Sequence, residues 1–469
     1  MIPVVTPAEM AGVDRDASEP VEVLIERAGF GVASAAARML GRSYGRRVLV
    51  VAGRGNNGAD GRAAAALLAR RGASVKVLEA ASVDAALPDA DLVIDAAYGT
   101  GLSRPYRPPD PGRAQVLAVD IPSGLSGTTG RPVGDLGQGG AVRADRTVTF
   151  AAFKPGLLLA DGPDLTGPVE VVDIGLGHLV DRVAQAWLVT DDDVIGRLPS
   201  RPRQTHKWVT AVGVVGGSPG MPGAPILSAH GAMRAGAGYA IVAVPGSPPG
   251  GGLPPSEYVG RSLPATDWGQ EAAEVVARAR AVVVGPGLGA CALGSAGETG
   301  PSTPVARLLG ASALPAVIDA DGLTALGDLS NLAKLAGGRS SPTVITPHEG
   351  EFARLVGRPP ADDRIADVRS VASETGAVVL LKGSTTVVAE PAGRVLVVNS
   401  GSSRLATAGT GDVLSGIIAA FLARGLPGPE AAALAAHCHG RASGLGRPEG
   451  LVASDLPGLT SRWLSEVGA

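Results

Sequence analysis

Cysteine is nearly absent from this chain of 469 residues: Cys291 and Cys438 are all it has. They form no metal-ligand or disulfide pattern, which fits a reducing compartment. An excess of one charge is missing too. The formal net charge is −3, and no lysine/arginine block interleaves with aromatic residues, so nucleic acid is not an expected partner. Long hydrophobic runs are lacking as well: no uninterrupted apolar stretch could span a bilayer. The N-terminal Met1-Ile2-Pro3-Val4-Val5-Thr6-Pro7 soon meets acidic residues and has no basic region leading an apolar core. A cytoplasmic protein without a membrane partner is expected, assembled as a homo-oligomer.

Apolar residues make up 45% and charged residues 18% of the chain, the balance of a folded, soluble protein. Glycine and proline are abundant (68 and 37), but alanine, valine and leucine in periodic runs exclude a disordered polymer. The length asks for two or more domains. In the first half, Val48–Ala52, Val75–Leu78, Leu92–Asp95 and Val116–Asp120 read as strands alternating with helices such as Ala63–Arg71. That rhythm means a parallel sheet with helices on both faces, whose ligands sit at the carboxyl ends of the strands. A seam follows where Asp191–Asp193 meets Leu198-Pro199-Ser200-Arg201-Pro202-Arg203, placing a boundary near residue 200. The same rhythm then restarts at Val212–Gly217 and continues through Tyr239–Val244, Ala281–Val284, Ala316–Asp319, Thr343–Thr346 and Val378–Leu381.

Near the C-terminus, Ala406-Thr407-Ala408-Gly409-Thr410-Gly411-Asp412 runs into the apolar stretch Val413–Leu422. A glycine-rich turn opening a helix makes an anion cradle from free backbone N–H groups and the positive end of the helix dipole. Asp412 would repel a phosphate held there. Its natural task is to take a proton from a hydroxyl attacking phosphorus. The motif alone leaves open a plain aspartate N-cap after a flexible loop.

In the first half, Gly53-Arg54-Gly55-Asn56-Asn57-Gly58-Ala59-Asp60-Gly61 joins a strand to a helix. It departs from the usual dinucleotide fingerprint, and its amide oxygens and carboxylates suit a hard monovalent cation. A simple Asn/Gly turn would also account for it. Asp95-Ala96-Ala97-Tyr98-Gly99-Thr100-Gly101-Leu102 and Asp120-Ile121-Pro122-Ser123-Gly124 each add an aspartate at a strand end. Together with Glu26-Arg27-Ala28-Gly29, this ordered set resembles the NAD(P)H-hydrate epimerase domain over most of residues 1–190. The resemblance implies potassium ligation by Asn57, Asp95 and Ser123. It implies binding of the hydrated dinucleotide by Asn56, Asn57, Gly58, Ala59, Asp60, then Gly99, Thr100, Gly101, Leu102, Ser103, Arg104 and Pro105, with Asp120. Since the hydrate is a hemiaminal inverted by acid–base catalysis, Asp120, close to the cation, is the choice for the proton-transfer group. Ala59 stands where the family usually has glycine; if that position needs positive φ, alanine brings about 1 kcal/mol of strain.

The second half carries Gly216-Gly217-Ser218, Gly223-Ala224-Pro225, Gly285-Pro286-Gly287-Leu288-Gly289, Asp319-Ala320-Asp321, Thr346-Pro347-His348-Glu349-Gly350-Glu351 and Lys382-Gly383-Ser384-Thr385-Thr386 before the glycine turn. Singly, His348 reads as a loop or capping residue, Lys382 as a surface charge and Asp321 as a helix start. As a strand-end ring they supply the parts phosphoryl transfer needs. The series resembles the ribokinase-like fold and, within it, the ADP- or ATP-dependent NAD(P)H-hydrate dehydratases, over nearly all of residues 201–469. Trp208, after Lys207, replaces a more usual glycine. By this resemblance Lys382, Gly383, Ser384, Thr385, Thr386, Gly409, Thr410 and Gly411 bind the adenine nucleotide, while Ala224, Gly289, His348 and Asp412 contact the hydrate. ADP with Mg²⁺ is the implied co-substrate.

The combined expectation is an α/β protein with a Rossmann-like three-layer αβα domain (1–195) followed by a ribokinase-like αβα domain (201–469). It would epimerise hydrated NADH and NADPH and dehydrate the S form with ADP. The competing readings are a ribokinase-like small-alcohol kinase and a first domain that is a non-catalytic nucleotide-binding module.

Overall fold

A computed structural model describes residues 1–83, 85–134, 140–248, 252–294 and 297–469. The chain forms two compact units, one of Ile2–Ala186 and one of Met1 with Trp187–Ala469.

The first unit is built on six strands, β1 (Arg47–Ala52), β2 (Ser74–Glu79), β3 (Leu92–Ala96), β4 (Gln115–Val119), β5 (Arg146–Phe150) and β6 (Val169–Val172). They are hydrogen-bonded in the order β2-β1-β3-β4-β5-β6, every pair parallel. The near-continuous burial of β1, β3 and β4 follows from helices covering both faces, as a parallel sheet requires. Strand order reverses between β1 and β3, the switch point where the carboxyl ends of such sheets open a crevice. The loop after β1 and the end of β3 carry the asparagine pair and Asp95. The helix Asn56–Arg70 descends from that loop and packs on Val21–Leu40. A Cβ on Gly29 would sit 2.5 Å from that of Ala63, so glycine sets the closeness of these helices.

In the second unit the sheet includes β7 (Ala211–Val215), β8 (Tyr239–Pro245), β9 (Val259–Leu263), β10 (Ala281–Val284), β11 (Ala316–Ile318), β12 (Thr343–Ile345), β13 (Val378–Leu381), β14 (Thr386–Ala389) and β15 (Val395–Val398), with the short strand Ala186–Leu188 beside β15. Their order is β15-β14-β13-β12-β11-β10-β7-β8-β9. From β9 to β13 neighbours run parallel, whereas β14 is antiparallel to both β13 and β15. The helix Asp191–Arg197 belongs to this unit: Val194 and Leu198 join its core, and Asp191 bonds His437 and Arg441. The apolar helix Thr410–Ala423 is buried against Gly223–Arg234. Added Cβ atoms on Gly416 and Gly231 would meet the carbonyls of Ser228 and Val413 at 1.9 and 2.4 Å, so the two backbones touch. That contact fixes where the helix mouth, and Asp412 with it, points. Among the described residues no helix is long and apolar enough to cross a membrane.

Candidate functional sites

A cavity of about 1000 Å³ opens at the switch point of the first unit. Asn56, Asn57, Asp60, Gly99, Thr100, Gly101, Leu102, Ser103, Arg104 and Asp120, all singled out from sequence, line it. Gly58, Ala59 and Pro105 do not. Gly58 lies under the turn, where a Cβ would come within 2.0 Å of the Gly53 carbonyl. Ala59 sits inside the helix Asn56–Arg70 and is not among the residues with positive φ, so the strain considered for alanine there does not arise. Pro105 packs against Gly134.

Asp95 is buried behind the wall. Its Oδ2 accepts from the Ser123 N–H at 2.8 Å and its Oδ1 from the Ser123 hydroxyl at 2.7 Å. Burial pushes its carboxyl up to about 6 against those hydrogen bonds. Tyr98 links this pair to the cavity by donating its N–H to Ser123 Oγ at 2.9 Å. Next to Tyr98, Gly99 faces Asn57, with the place of its missing Cβ 3.5 Å from that of Asn57. Both amide atoms of Asn57 are buried without a partner. A buried, unsatisfied amide demands an explanation, and a bound ion or ligand is the usual one.

Asp120 follows β4 in a left-handed conformation, φ 65°. Its Oδ1 accepts from Lys154 Nζ at 2.6 Å and from Thr149 Oγ1 at 3.1 Å. Asp60 and Asp14 crowd the same wall. Burial, reinforced by the charges of Asp120 and Asp14, pushes Asp60 up to about 8; Asp14 is raised by burial too, with Lys154 opposing. Lys154, Thr149 and Asp14 were not singled out from sequence. The strand-end rule that found Asp95 and Asp120 would also have reached Lys154, just beyond β5.

In the second unit, Lys382 at the end of β13 pairs with Asp319 at the end of β11, Nζ to Oδ1 at 2.8 Å, and approaches Glu351 at 3.8 Å. Asp319 Oδ2 accepts the Ser415 hydroxyl at 2.6 Å. Burial opposes the lysine charge, but Asp319, Glu351 and Asp412 together hold it above its ordinary value. The turn begins with Gly409 at φ 91°, as the N-cap of Thr410–Ala423. A Cβ on Gly411 would lie 3.3 Å from Lys382 Nζ. The first-turn N–H groups, which have no intrahelical acceptor, therefore open beside a cation. Burial first, then Asp319, raise Asp412 to about 7, with Lys382 pulling the other way. A carboxyl titrating there is suited to general base work at neutral pH.

His348 is the N-cap of Glu349–Val356: its Nδ1 accepts from the N–H groups of Gly350 and Glu351 at 3.0 and 3.2 Å. The imidazole is 59% exposed. Glu351 returns a bond to the His348 N–H at 2.8 Å, joining the cap to Lys382. Ala224 stands 3.1 Å from where a Cβ on Gly287 would be, and the Gly289 N–H donates to Asp321 Oδ2 at 2.8 Å. The charge of Asp321 adds to that of Asp319 in raising Asp412. From Lys382 the chain passes through Gly383, beside Arg364, into Ser384 and the buried Thr385, and Thr386 opens β14. Ser415 escaped the sequence reading; a lone hydroxyl four residues beyond Gly411 in an apolar helix was the available signal.

The family model described as NAD(P)H-hydrate dehydratase matches residues 212–461. The one described as YjeF-related protein N-terminus matches residues 21–85 and 78–156. Several relatives are named bifunctional NAD(P)H-hydrate repair enzyme Nnr. That of Moorella thermoacetica is 37% identical, covering 93% of this chain and 91% of its own. That of Mycobacterium tuberculosis (strain ATCC 25618 / H37Rv) is 40% identical over 89% and 88%. The Salinibacter ruber protein is 35% identical over 99% and 96%. Among solved structures, the ADP/ATP-dependent NAD(P)H-hydrate dehydratase from Bacillus subtilis, co-crystallised with ATP/Mg²⁺, is 27% identical. It covers 59% of this chain and 97% of its own, with a TM-score of 0.47.

Proposed function

Since the chain belongs to the bifunctional NAD(P)H-hydrate repair enzymes, we propose that its two sites carry the two halves of one repair. The first unit interconverts the R and S forms of hydrated NADH and NADPH. The second dehydrates the S form at the expense of ADP, giving AMP and phosphate. The observation that carries the second half is Asp412, a carboxyl raised to about 7 at a glycine-opened helix mouth beside Lys382.

In the second site Asp412 takes the proton of the ring hydroxyl as that oxygen attacks the terminal phosphorus of ADP. The bond to the bridging oxygen breaks and AMP leaves. Lys382 and the N–H groups of the Gly409–Gly411 turn hold the charge that develops on the transferred group. The ring carbon–oxygen bond of the new phosphate ester then breaks, phosphate leaving with the electron pair as the ring nitrogen's lone pair moves in, and loss of a proton from the neighbouring carbon completes the dihydronicotinamide. Mg²⁺ would arrive on the nucleotide's phosphates.

In the first site the substrate is a hemiaminal. Loss of the hydroxyl proton to Asp120 lets the ring carbon–nitrogen bond open to an aldehyde, the pair settling on nitrogen and into the conjugated carboxamide. Closure on the other face, with return of the proton, inverts the centre. Asp60, its carboxyl pushed up to about 8 by burial, lines the same cavity, and its protonated form is a hydrogen-bond donor for the dinucleotide. Asn57, Asp95 and Ser123 would hold a potassium ion, a reading that the partnerless buried amide of Asn57 supports. Bound there, it would supply a fixed positive charge for an anionic substrate. Both cysteines are free, in keeping with a cytoplasmic setting.

Incubation of the protein with mixed hydrate epimers and ADP, following dihydronicotinamide absorbance, tests the reading. Full recovery of both epimers is expected. No recovery with ADP or ATP would overturn it, release of a stable phosphate ester would favour a small-alcohol kinase, and recovery of one epimer would remove the epimerase half.

A further inference from the structure

Lys154 is one of the largest fully buried side chains of the protein, 2% exposed, yet it lines the cavity of the first unit. After β5 the chain turns back at Ala151, which has φ 62°, and the Ala152 N–H bonds the Phe150 carbonyl at 2.7 Å. This reversal tucks Lys154 beneath the strand it follows. Its Nζ donates to Asp120 Oδ1 at 2.6 Å, Thr149 Oγ1 at 2.9 Å and the Phe150 carbonyl at 3.1 Å. An ammonium has three donors, so the group is saturated and immobile. Thr149 in turn donates to the same oxygen, Asp120 Oδ1, at 3.1 Å.

All the side-chain bonding that the described residues give Asp120 thus falls on one carboxylate oxygen. No described residue hydrogen-bonds the other, Oδ2. It lies 3.8 Å from the place of a Cβ on Gly99, on the side where Gly99 faces Asn57. Asp120 meanwhile holds a backbone conformation that non-glycine residues adopt rarely, and such outliers persist where the surroundings over-determine them. A mere stabilising ion pair requires neither the one-sided bonding nor the strained backbone.

We propose that Lys154, with Thr149, is the positioning residue of the epimerase site: it clamps Asp120 by Oδ1 and leaves Oδ2 as the oxygen that exchanges the proton with the ring hydroxyl. This rests on the epimerase reading of the first unit. The O–H bond breaks and its proton goes to Oδ2 while the ring opens. On closure from the opposite face the same proton returns, so the enzyme is restored without any co-reactant. The clamp keeps the carboxylate from rotating as its charge changes, and the ammonium compensates that charge while the hydroxyl is being bound. Asp60 and Asp14 bring negative charge to the same wall. Lys154 is the buried cation that faces them.

The test uses the full chain with Lys154→Met, Lys154→Arg and Thr149→Val. Two rates are read in each: conversion of purified R epimer to S, and ADP-dependent consumption of purified S epimer by the second unit. Lys154→Met should lower the epimerisation kcat by about 100-fold or more, the scale of a mispositioned acid–base group, with little change in KM. Dehydration of S should stay within about twofold, since its transition-state contacts are untouched. Lys154→Arg should restore part of the rate. Thr149→Val, which removes the hydroxyl's bonds to Asp120 and Lys154 but leaves the lysine on the carboxylate, should give an intermediate loss and carries the test if Lys154→Met fails to fold. A loss confined to KM, no recovery of rate in Lys154→Arg, or epimerisation within about twofold of the unmodified chain would each overturn the clamp. Absence of epimerisation in the unmodified chain would instead overturn the functional reading, and the clamp with it.

Discussion

Lys382 and Asp319 form an ion pair of 2.8 Å beside the glycine turn, and the free oxygen of that same aspartate receives the Ser415 hydroxyl at 2.6 Å. One buried carboxylate thereby ties the end of β13 to the helix that carries Asp412. Breaking one partner of such a pair leaves the other charge uncompensated in a poorly solvated place. Asp319→Asn should destabilise the second unit by about 3 kcal/mol, and Ser415→Ala by about 1 kcal/mol. Urea unfolding measures both. The KM for ADP should rise in Asp319→Asn, because Lys382 loses its anchor. A change below about 1 kcal/mol in that variant would mean the pair is solvated and contributes little.

Asp412 acts as a base only when ionised. Its carboxyl is raised to about 7, chiefly by burial and the charge of Asp319. The dehydratase kcat should therefore fall tenfold per pH unit below about 7 and level off above it. Asp412→Asn should lose about 10³-fold or more in kcat, the contribution of a positioned base, while ADP binding survives. Calorimetric titration with ADP separates the two effects. Loss of nucleotide binding would contradict the role assigned to the carboxylate.

Asp60 links pH to the stability of the first unit. Its carboxyl stands at about 8 in the fold, above the ordinary 3.8. The folded state thus binds this proton more tightly than the unfolded chain. Stability from this group is fully present below the unfolded value and is lost as pH rises towards the folded one. The slope is about 1.4 kcal/mol per pH unit between those limits, and it flattens above the higher. Asp60→Asn, which cannot titrate, should remove that slope from the pH dependence of unfolding midpoints. An identical pH dependence in the two proteins would show that Asp60 is ionised in the fold.

Much of this was legible in the sequence because parallel sheets deliver their ligands to strand ends. Asn57, Asp95, Asp120, Lys382 and Asp412 could each be picked out as a polar residue following a β-branched run or opening a helix. What escaped depends on tertiary convergence. Lys154 lies within reach of the strand-end rule, but its partners appear only when the left-handed turn at Ala151 folds it under Thr149, and Ser415 meets Asp319 across 96 positions of chain. The antiparallel pair β14 and β15 went unread, since its short runs lack a helix between them. His348 does act as a cap, the bland reading of a lone histidine, yet its capping partner Glu351 reaches Lys382.

The family's glycine preference at position 59 suggested strain that the fold does not contain, and this leads to a paired prediction. Residue 59 is helical, so Ala59→Gly should lower stability by about 0.5–1 kcal/mol through added chain entropy and bring no gain in epimerisation. The obligatory glycine is its neighbour. A Cβ at Gly58 would sit 2.0 Å from the Gly53 carbonyl oxygen and 2.8 Å from the Gly53 nitrogen. Both are backbone atoms of the strand-to-helix turn, and no rotamer change can relieve them. Gly58→Ala must therefore push the turn outward, carrying Asn56 and Asn57 away from Gly99. Epimerisation should fall to near background in Gly58→Ala, while dehydration of the S epimer by the second unit continues. Equal activities for the two variants, measured on R epimer, would show that the turn is softer than its backbone contacts imply.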